Sequence, residues 1–153
     1  AIDTVTQIAA FKDVVGLFFG AADSSASLGC KLAWEPLLYA RQKVVLAAAM
    51  YNLFTIDAPF FYMDDKEGLK KEAEAVKNLG FTGKAAIHPD QIDFINESFA
   101  PTSEEIAEGK KVLEEYQKSG GGAVKIDGQM VDEPIAEAMR LKISLGEEEE
   151  NED

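Results

Sequence analysis

Three short apolar runs, Val14 to Phe19, Leu53 to Asp57 and Thr82 to Ile87, alternate with stretches of helical periodicity. Runs this short and this apolar suit strands covered on both faces, and the intervening stretches are long enough for right-handed crossovers. The pattern therefore predicts parallel βα units in an α/β fold. The first run continues as Gly16-Leu17-Phe18-Phe19-Gly20-Ala21-Ala22-Asp23, and the small residues that follow, as far as Gly29, read as a loop. That loop sets the Asp23 carboxylate just beyond the C-terminal end of the strand, where parallel α/β folds keep their chemistry. Gly20, Ala21 and Ala22 are small enough for backbone amides to approach an anionic group, while Asp23 can hold a hard cation. On residue type alone, Asp23 equally reads as a turn former or helix cap.

The rest of the chain repeats the geometry. Ile2, Ile8, Ala9 and Phe11 predict a helix ahead of the first strand. Trp34-Glu35-Pro36 opens another, with Leu37, Ala40, Val44, Ala48 and Tyr51 on one stripe. The second run ends at Asp57 and is closed by Ala58-Pro59. Asp64 and Glu67 have capping-box spacing, Leu69, Ala73, Val76 and Leu79 form an apolar face, and Gly80 ends that helix. The third run ends at His88-Pro89, and Pro89 opens a helix with Ile92, Ile95 and Phe99 inward.

The pattern changes at Ala100-Pro101. Thr102 and Glu105 form a second capping box, and Ile106, Leu113 and Tyr116 mark a helix that stops at Ser119-Gly120-Gly121-Gly122, a natural hinge. Ala123 to Ile126 and Gln129 to Val131, joined by Asp127-Gly128, read as a hairpin. Pro134 then starts a closing helix carrying Ile135, Ala138, Met139 and Leu141. The expected organisation is a βα body with its following helix over 1–118, a hinge and lid over 119–146, and a disordered acidic tail over 147–153.

Composition removes several function classes. A net charge of −13, only partly due to the tail, argues against nucleic acid or an anionic membrane as partner. The most apolar window, Val44 to Phe54, contains Asn52 and falls short of the ~20 apolar residues that span a bilayer. A single cysteine, Cys30, allows no internal disulfide and suits a reducing compartment. The sequence holds no GxxxxGK[ST] phosphate loop, no CxxC, no HExxH and no serine nucleophile elbow. His88 is the only histidine, and a place in the pocket wall suits it better than catalysis. Asp57 reads as a rim or structural residue, Lys84 belongs to the same strand as His88, and Arg41, in mid-helix, reads as an ion-pair or subunit contact.

Four motifs in order carry a resemblance. They are Gly16 to Asp23 with Ser27-Leu28-Gly29; Leu38-Tyr39-Ala40-Arg41-Gln42-Lys43-Val44-Val45; Gly80 to Lys84 with Ile87-His88-Pro89 and Gln91-Ile92; and Gly128 with Met130-Val131-Asp132-Glu133-Pro134. The chain resembles the C-terminal half of the citrate lyase β-subunit-like group of the HpcH/HpaI aldolase superfamily, which includes the malyl-CoA, citramalyl-CoA and citryl-CoA lyases. The resemblance implies the last three βα units of a (β/α)8 TIM-type barrel plus a C-terminal lid of a small hairpin and helix. It implies a Mg²⁺-dependent carbon–carbon lyase that cleaves a 3-hydroxyacyl-CoA thioester by retro-Claisen chemistry to an acyl-CoA and a keto acid. Asp23 is then a metal ligand, with a second carboxylate, a Glu, just upstream of Ala1. The amides of Gly20, Ala21 and Ala22 bind the keto-acid carboxylate, and His88 lines the pocket. Asp132, which could also simply cap the helix opening at Pro134, is the lid acid/base and acts on a neighbouring subunit of a homo-oligomer, a trimer or hexamer. The setting implied is the cytoplasm, or the mitochondrial matrix in a eukaryote. A CoA-thioester hydrolase, a malate-synthase-like enzyme or a truncated, non-catalytic assembly subunit are the alternatives.

Overall fold

A computed structural model describes residues 2–149, which divide between Phe99 and Ala100 into two compact units. The first begins with a 3-10 turn and α1 (Val5–Ala9), then runs through β1 (Gly16–Phe18), α2 (Ala21–Leu28), α3 (Trp34–Ala49), β2 (Phe54–Asp57), α4 (Lys66–Leu79) and β3 (Gly83–Lys84). A second 3-10 turn, Pro89–Gln91, leads into α5 (Ile92–Phe99). The three strands pair in parallel in the order β1-β2-β3, with Gly16 opposite Phe54 and Ile56 opposite Gly83. This is the α/β architecture that the alternating pattern predicts.

One face of the sheet is covered by helices. Thr55, Asp57 and Lys84 are buried at alternate positions, as the two-residue period of a strand requires. Leu37, Ala40, Val44 and Ala47 of α3 pack with Val5, Ala9, Phe19, Val76 and Phe81 in the principal core. On alternate positions Phe18 and Phe54 are 62% and 67% exposed, so part of the sheet is apolar and open in the chain as described. Gly16 is required by close approach, since a Cβ there would meet the Phe54 carbonyl oxygen at 3.1 Å.

Several local expectations change. The segment after Gly20 is not a loop but α2, which ends on Gly29 in the left-handed conformation at φ 66°. The cap of α4 is Asp65 rather than Asp64, its carboxylate accepting from the Gly68 N–H at 2.8 Å. The third strand is only Gly83–Lys84, and at its start a reciprocal side-chain clasp between Thr82 and Thr55 adds to the backbone bond from the Thr82 N–H to the Thr55 carbonyl at 3.0 Å. Thr82 Oγ1 accepts from the Thr55 N–H at 2.9 Å, and Thr55 Oγ1 from the Thr82 N–H at 3.1 Å. In α5, Ile95 is buried but Ile92 is 47% exposed, because the turn at Pro89–Gln91 rotates the helix entry and buries Gln91 instead.

The second unit contains α6 (Ser103–Lys118), the hairpin β4 (Val124–Ile126) and β5 (Gln129–Val131), and α7 (Glu133–Glu149). The capping box at Thr102 and Glu105 forms as the spacing predicts. α6 therefore groups with the hairpin and not with the sheet. Gly120, Gly121 and Gly122 all have positive φ, between 81° and 89°, a run that residues with a Cβ would rarely adopt. Asp127 and Gly128 both have positive φ, as a two-residue hairpin turn demands. Val112, Tyr116, Ile126, Val131 and Ala136 make a separate small core. On α7 the buried stripe is Ala136 and Ile143 with Met139 beside it, and the expected Ile135 and Leu141 are 37% and 63% exposed. α7 carries helix through residues 147–149 of the expected disordered tail, and residues 150–153 lie outside those described.

Leu37 is fully buried at the centre of the principal core. Leu37→Ala is expected to lower stability by about 2–5 kcal/mol, through lost transfer energy and the cavity left behind, read as a reduced midpoint in urea unfolding with an unchanged slope.

Candidate functional site at the strand ends

β1 leads through Phe19 and Gly20 directly into α2. Gly20 is the N-cap, and it offers no side-chain acceptor to the first amides of the helix. The N–H groups of Ala21 and Ala22 begin the turn, where donors have no partner within the helix. Asp23 is exposed, in that same first turn. Its carboxylate leans back over the helix start, since a Cβ on Gly20 would meet Asp23 Oδ2 at 3.2 Å. Donors and a carboxylate thus stand side by side at the C-terminal end of β1. Amide donors at a helix N-terminus suit an anionic ligand, and a lone exposed carboxylate suits one position of a hard cation that keeps other oxygen ligands from water or substrate. Among the described residues no group of three or more His, Cys, Asp or Glu side chains is arranged to hold a metal.

The neighbouring strand ends are tied by a buried charge network. Asp57, the last residue of β2, is fully buried and accepts from Arg41 Nε at 2.8 Å and from Lys84 Nζ at 3.0 Å. Lys84 also donates to Glu72 Oε1 at 2.7 Å and to the Ala58 carbonyl at 2.7 Å. The Arg41 guanidinium carbon lies 4.8 Å from the Trp34 ring centroid and 5.1 Å from that of Phe19. Arg41 therefore joins Phe19, at the end of β1, to Asp57 at the end of β2. Its ion-pair reading is seen here, with Asp57 and Lys84 as members of the same network. Glu72, Trp34 and Gln91 were missed. Gln91 accepts from the Ile87 N–H at 2.9 Å and donates to the Phe60 carbonyl at 2.9 Å, pinning the loops after β2 and β3. Glu72 had a signal, because an acidic residue three positions after Leu69 and four before Val76 falls on the buried stripe of α4.

His88 is half exposed and caps the 3-10 turn, its Nδ1 accepting from the Asp90 N–H at 3.2 Å. It lines a cavity of about 200 Å³ with Tyr62, Asp65, Lys66, Leu69 and Gln91. In the second unit Asp132 precedes α7, and its Oδ1 accepts from the Ile135 N–H at 3.3 Å, so the capping role is present. Beside it, Glu133 accepts from Arg140 Nη1 at 2.7 Å and from the Tyr116 hydroxyl at 3.0 Å. The Arg140 hydrogen bond, then that of Tyr116, holds the Glu133 carboxyl below the ordinary carboxylate range. Burial, then the Glu133 contact, pushes the Tyr116 phenol up.

Residues 1–89 match the HpcH/HpaI aldolase/citrate lyase family. The chain is 35% identical over 144 residues to the mitochondrial citramalyl-CoA lyase of Rattus norvegicus, covering 91% of this chain and 42% of that protein. It is 34% identical over 146 residues to citrate lyase subunit beta of Haemophilus influenzae, covering 92% and 50%. The crystal structure of CitE from Mycobacterium tuberculosis in complex with magnesium, acetoacetate and coenzyme A superposes with a TM-score of 0.85 at 29% identity, over 95% of this chain and 57% of that one. RipC from Yersinia pestis gives a TM-score of 0.67 at 47% identity, over 69% and 49%. The chain spans about half the length of the curated relatives it matches.

Two outcomes are expected from these geometries. Asp57→Ala leaves Arg41 and Lys84 buried without their shared carboxylate and should cost about 3–5 kcal/mol, measured by thermal melting, whereas Asp57→Asn, which keeps an acceptor, should cost less. The lowered Glu133 value means that its stabilisation is present above the ordinary carboxylate range and is lost as pH falls through the lowered midpoint. A carbon-13 NMR titration should therefore place Glu133 below the ordinary glutamate range, and Arg140→Met should move it back up.

Proposed function

We propose, for a chain that belongs to the HpcH/HpaI aldolase/citrate lyase family, that it is part of a Mg²⁺-dependent carbon–carbon lyase acting on a 3-hydroxyacyl-CoA thioester such as malyl-, citramalyl- or citryl-CoA. The observation that carries this reading is the strand-end arrangement at Gly20–Asp23, where helix-start amides and an exposed carboxylate stand together. The names and ligands of the relatives support it: citramalyl-CoA lyase, citrate lyase subunit beta, and a structure holding magnesium, acetoacetate and coenzyme A. The open apolar positions at Phe18 and Phe54 support the companion proposal that these are the last three βα units of a (β/α)8 barrel, in which that surface would face further strands.

In the cleavage direction the 3-hydroxyl passes its proton to solvent, the C2–C3 bond breaks, and its electron pair passes to the thioester as an enolate while the hydroxyl carbon becomes the carbonyl of the keto acid. The amides of Ala21 and Ala22 hold the carboxylate of the departing keto acid, and Gly20 leaves room for that approach. Asp23 would bind the Mg²⁺, which when present supplies Lewis-acid polarisation of the hydroxyl or keto oxygen. Asp132, as the lid acid/base, delivers a proton to C2 of the enolate and so releases the acyl-CoA. Its place on the separate unit, after the glycine run, suits a lid that serves the site of a neighbouring subunit. His88 contributes to the pocket wall beside the CoA arm. A trimeric or hexameric assembly in the cytoplasm or mitochondrial matrix goes with this reading, and no helix among the described residues is long and apolar enough to cross a membrane.

A second reading is an assembly subunit without its own turnover. Assays of malyl-, citramalyl- and citryl-CoA with and without Mg²⁺, on the full-length protein, separate the two. Asp132→Asn is expected to lower kcat by ~10²- to 10⁴-fold with KM little changed, and Asp23→Asn to weaken Mg²⁺ dependence. A folded, full-length protein inactive on all three thioesters would overturn the lyase reading.

A further inference from the structure

The charge network beneath the strand ends leaves one atom unaccounted for. Arg41 is 3% exposed, and its Nε and Nη2 are both committed to Asp57, at 2.8 and 3.4 Å. Its remaining nitrogen, Nη1, is buried and has no hydrogen-bond partner among the described residues. A buried guanidinium N–H without an acceptor is costly, and native proteins nearly always satisfy such a group. Arg41 also lines a crevice of about 30 Å³ whose walls include Leu32 and Ala33 from the α2–α3 loop, Pro59 and Phe60 from the loop after β2, and Glu72 of α4.

Size and charge together select the occupant. A water needs about 10–15 Å³ of such space, so one or two fit. Arg41 and Lys84 are already balanced by Asp57 and Glu72, so a further anion would bring an uncompensated charge into a buried place. A neutral hydrogen-bond acceptor carries no such penalty. We propose that the crevice is an internal water site, in which the water accepts from Arg41 Nη1 and donates to the Glu72 carboxylate.

Glu72 already accepts from Lys84 at 2.7 Å. The water closes the sequence Arg41–Asp57–Lys84–Glu72 into a ring, with every guanidinium nitrogen satisfied. Its position matters because Ala21, the first residue of α2, lines the same crevice. The ring therefore braces the α2 start against the Ala58–Pro59 turn through a bridge that no side chain supplies. This inference is independent of the reaction assigned to the protein.

A crystal structure of the full-length protein, at a resolution that shows ordered solvent, is the direct test. Density for a water within about 3.2 Å of Arg41 Nη1 and in reach of Glu72 is expected. A crevice without density, an Nη1 bonded to a protein carbonyl, or a halide or other anion at that place would overturn the proposal. Oxygen-17 relaxation dispersion supplies a solution measure. Arg41→Lys, which keeps a cation beside Asp57 and lacks Nη1, should lose one or two long-lived waters, and an unchanged count in the folded variant would also overturn it. If Arg41→Lys fails to fold, the wild-type crystal structure still decides.

Discussion

The fully buried Asp57 carboxylate, shared between Arg41 and Lys84, is the interaction on which the strand-end region depends. Desolvating a carboxylate is expensive, and here two cations from different elements offset that cost. One comes from α3 and the other from β3, while Asp57 itself ends β2. Glu72 extends the link to α4 through Lys84. The helices and strands are held in register by groups that would each be destabilising alone. Exposed ion pairs such as Lys118 with Glu114 carry no comparable constraint, because solvent screens them.

This network lies on the helix-covered side of the sheet, beneath the loops that present Gly20–Asp23. Its contribution to function is positional: Arg41 stacks between Trp34 and Phe19, and Phe19 is the residue immediately before the Gly20 cap. Asp23 remains exposed above a densely packed, ion-paired layer. The second unit follows a different logic. Its small core of Val112, Tyr116, Ile126, Val131 and Ala136 forms separately, and the three glycines ahead of the hairpin all take left-handed backbone conformations.

Much of the fold was legible because its signals are local. Helix α3 follows from Pro36 and the spacing of Leu37, Ala40 and Val44; the hairpin follows from Asp127-Gly128; and the capping box at Thr102 formed as written. The misses share a cause. Ala21 to Leu28 lacks strong apolar periodicity and reads as a loop, yet it is helical, supported by burial of Ala21 and Ser25. The Thr55–Thr82 clasp joins residues 27 apart in sequence, beyond the reach of any local signal. Of the candidate site, Asp23 at its strand end and the capping contact of Asp132 were readable. The partnership of Arg41, Asp57, Lys84 and Glu72 was not, although Arg41 and Glu72 each stand out as charges on an otherwise apolar helical stripe.

By itself the sequence determined the alternation of strand and helix, the parallel sense of the sheet and the set of residues at the strand ends. These rest on periodicity and turn chemistry, which act over a few residues and need no partner. Only the tertiary structure decided which charges meet, which stripe of α7 is buried, and that Arg41 and Glu72 line one crevice. Such choices depend on desolvation, and whether a charge is desolvated is set by everything packed around it, from segments the local sequence cannot see.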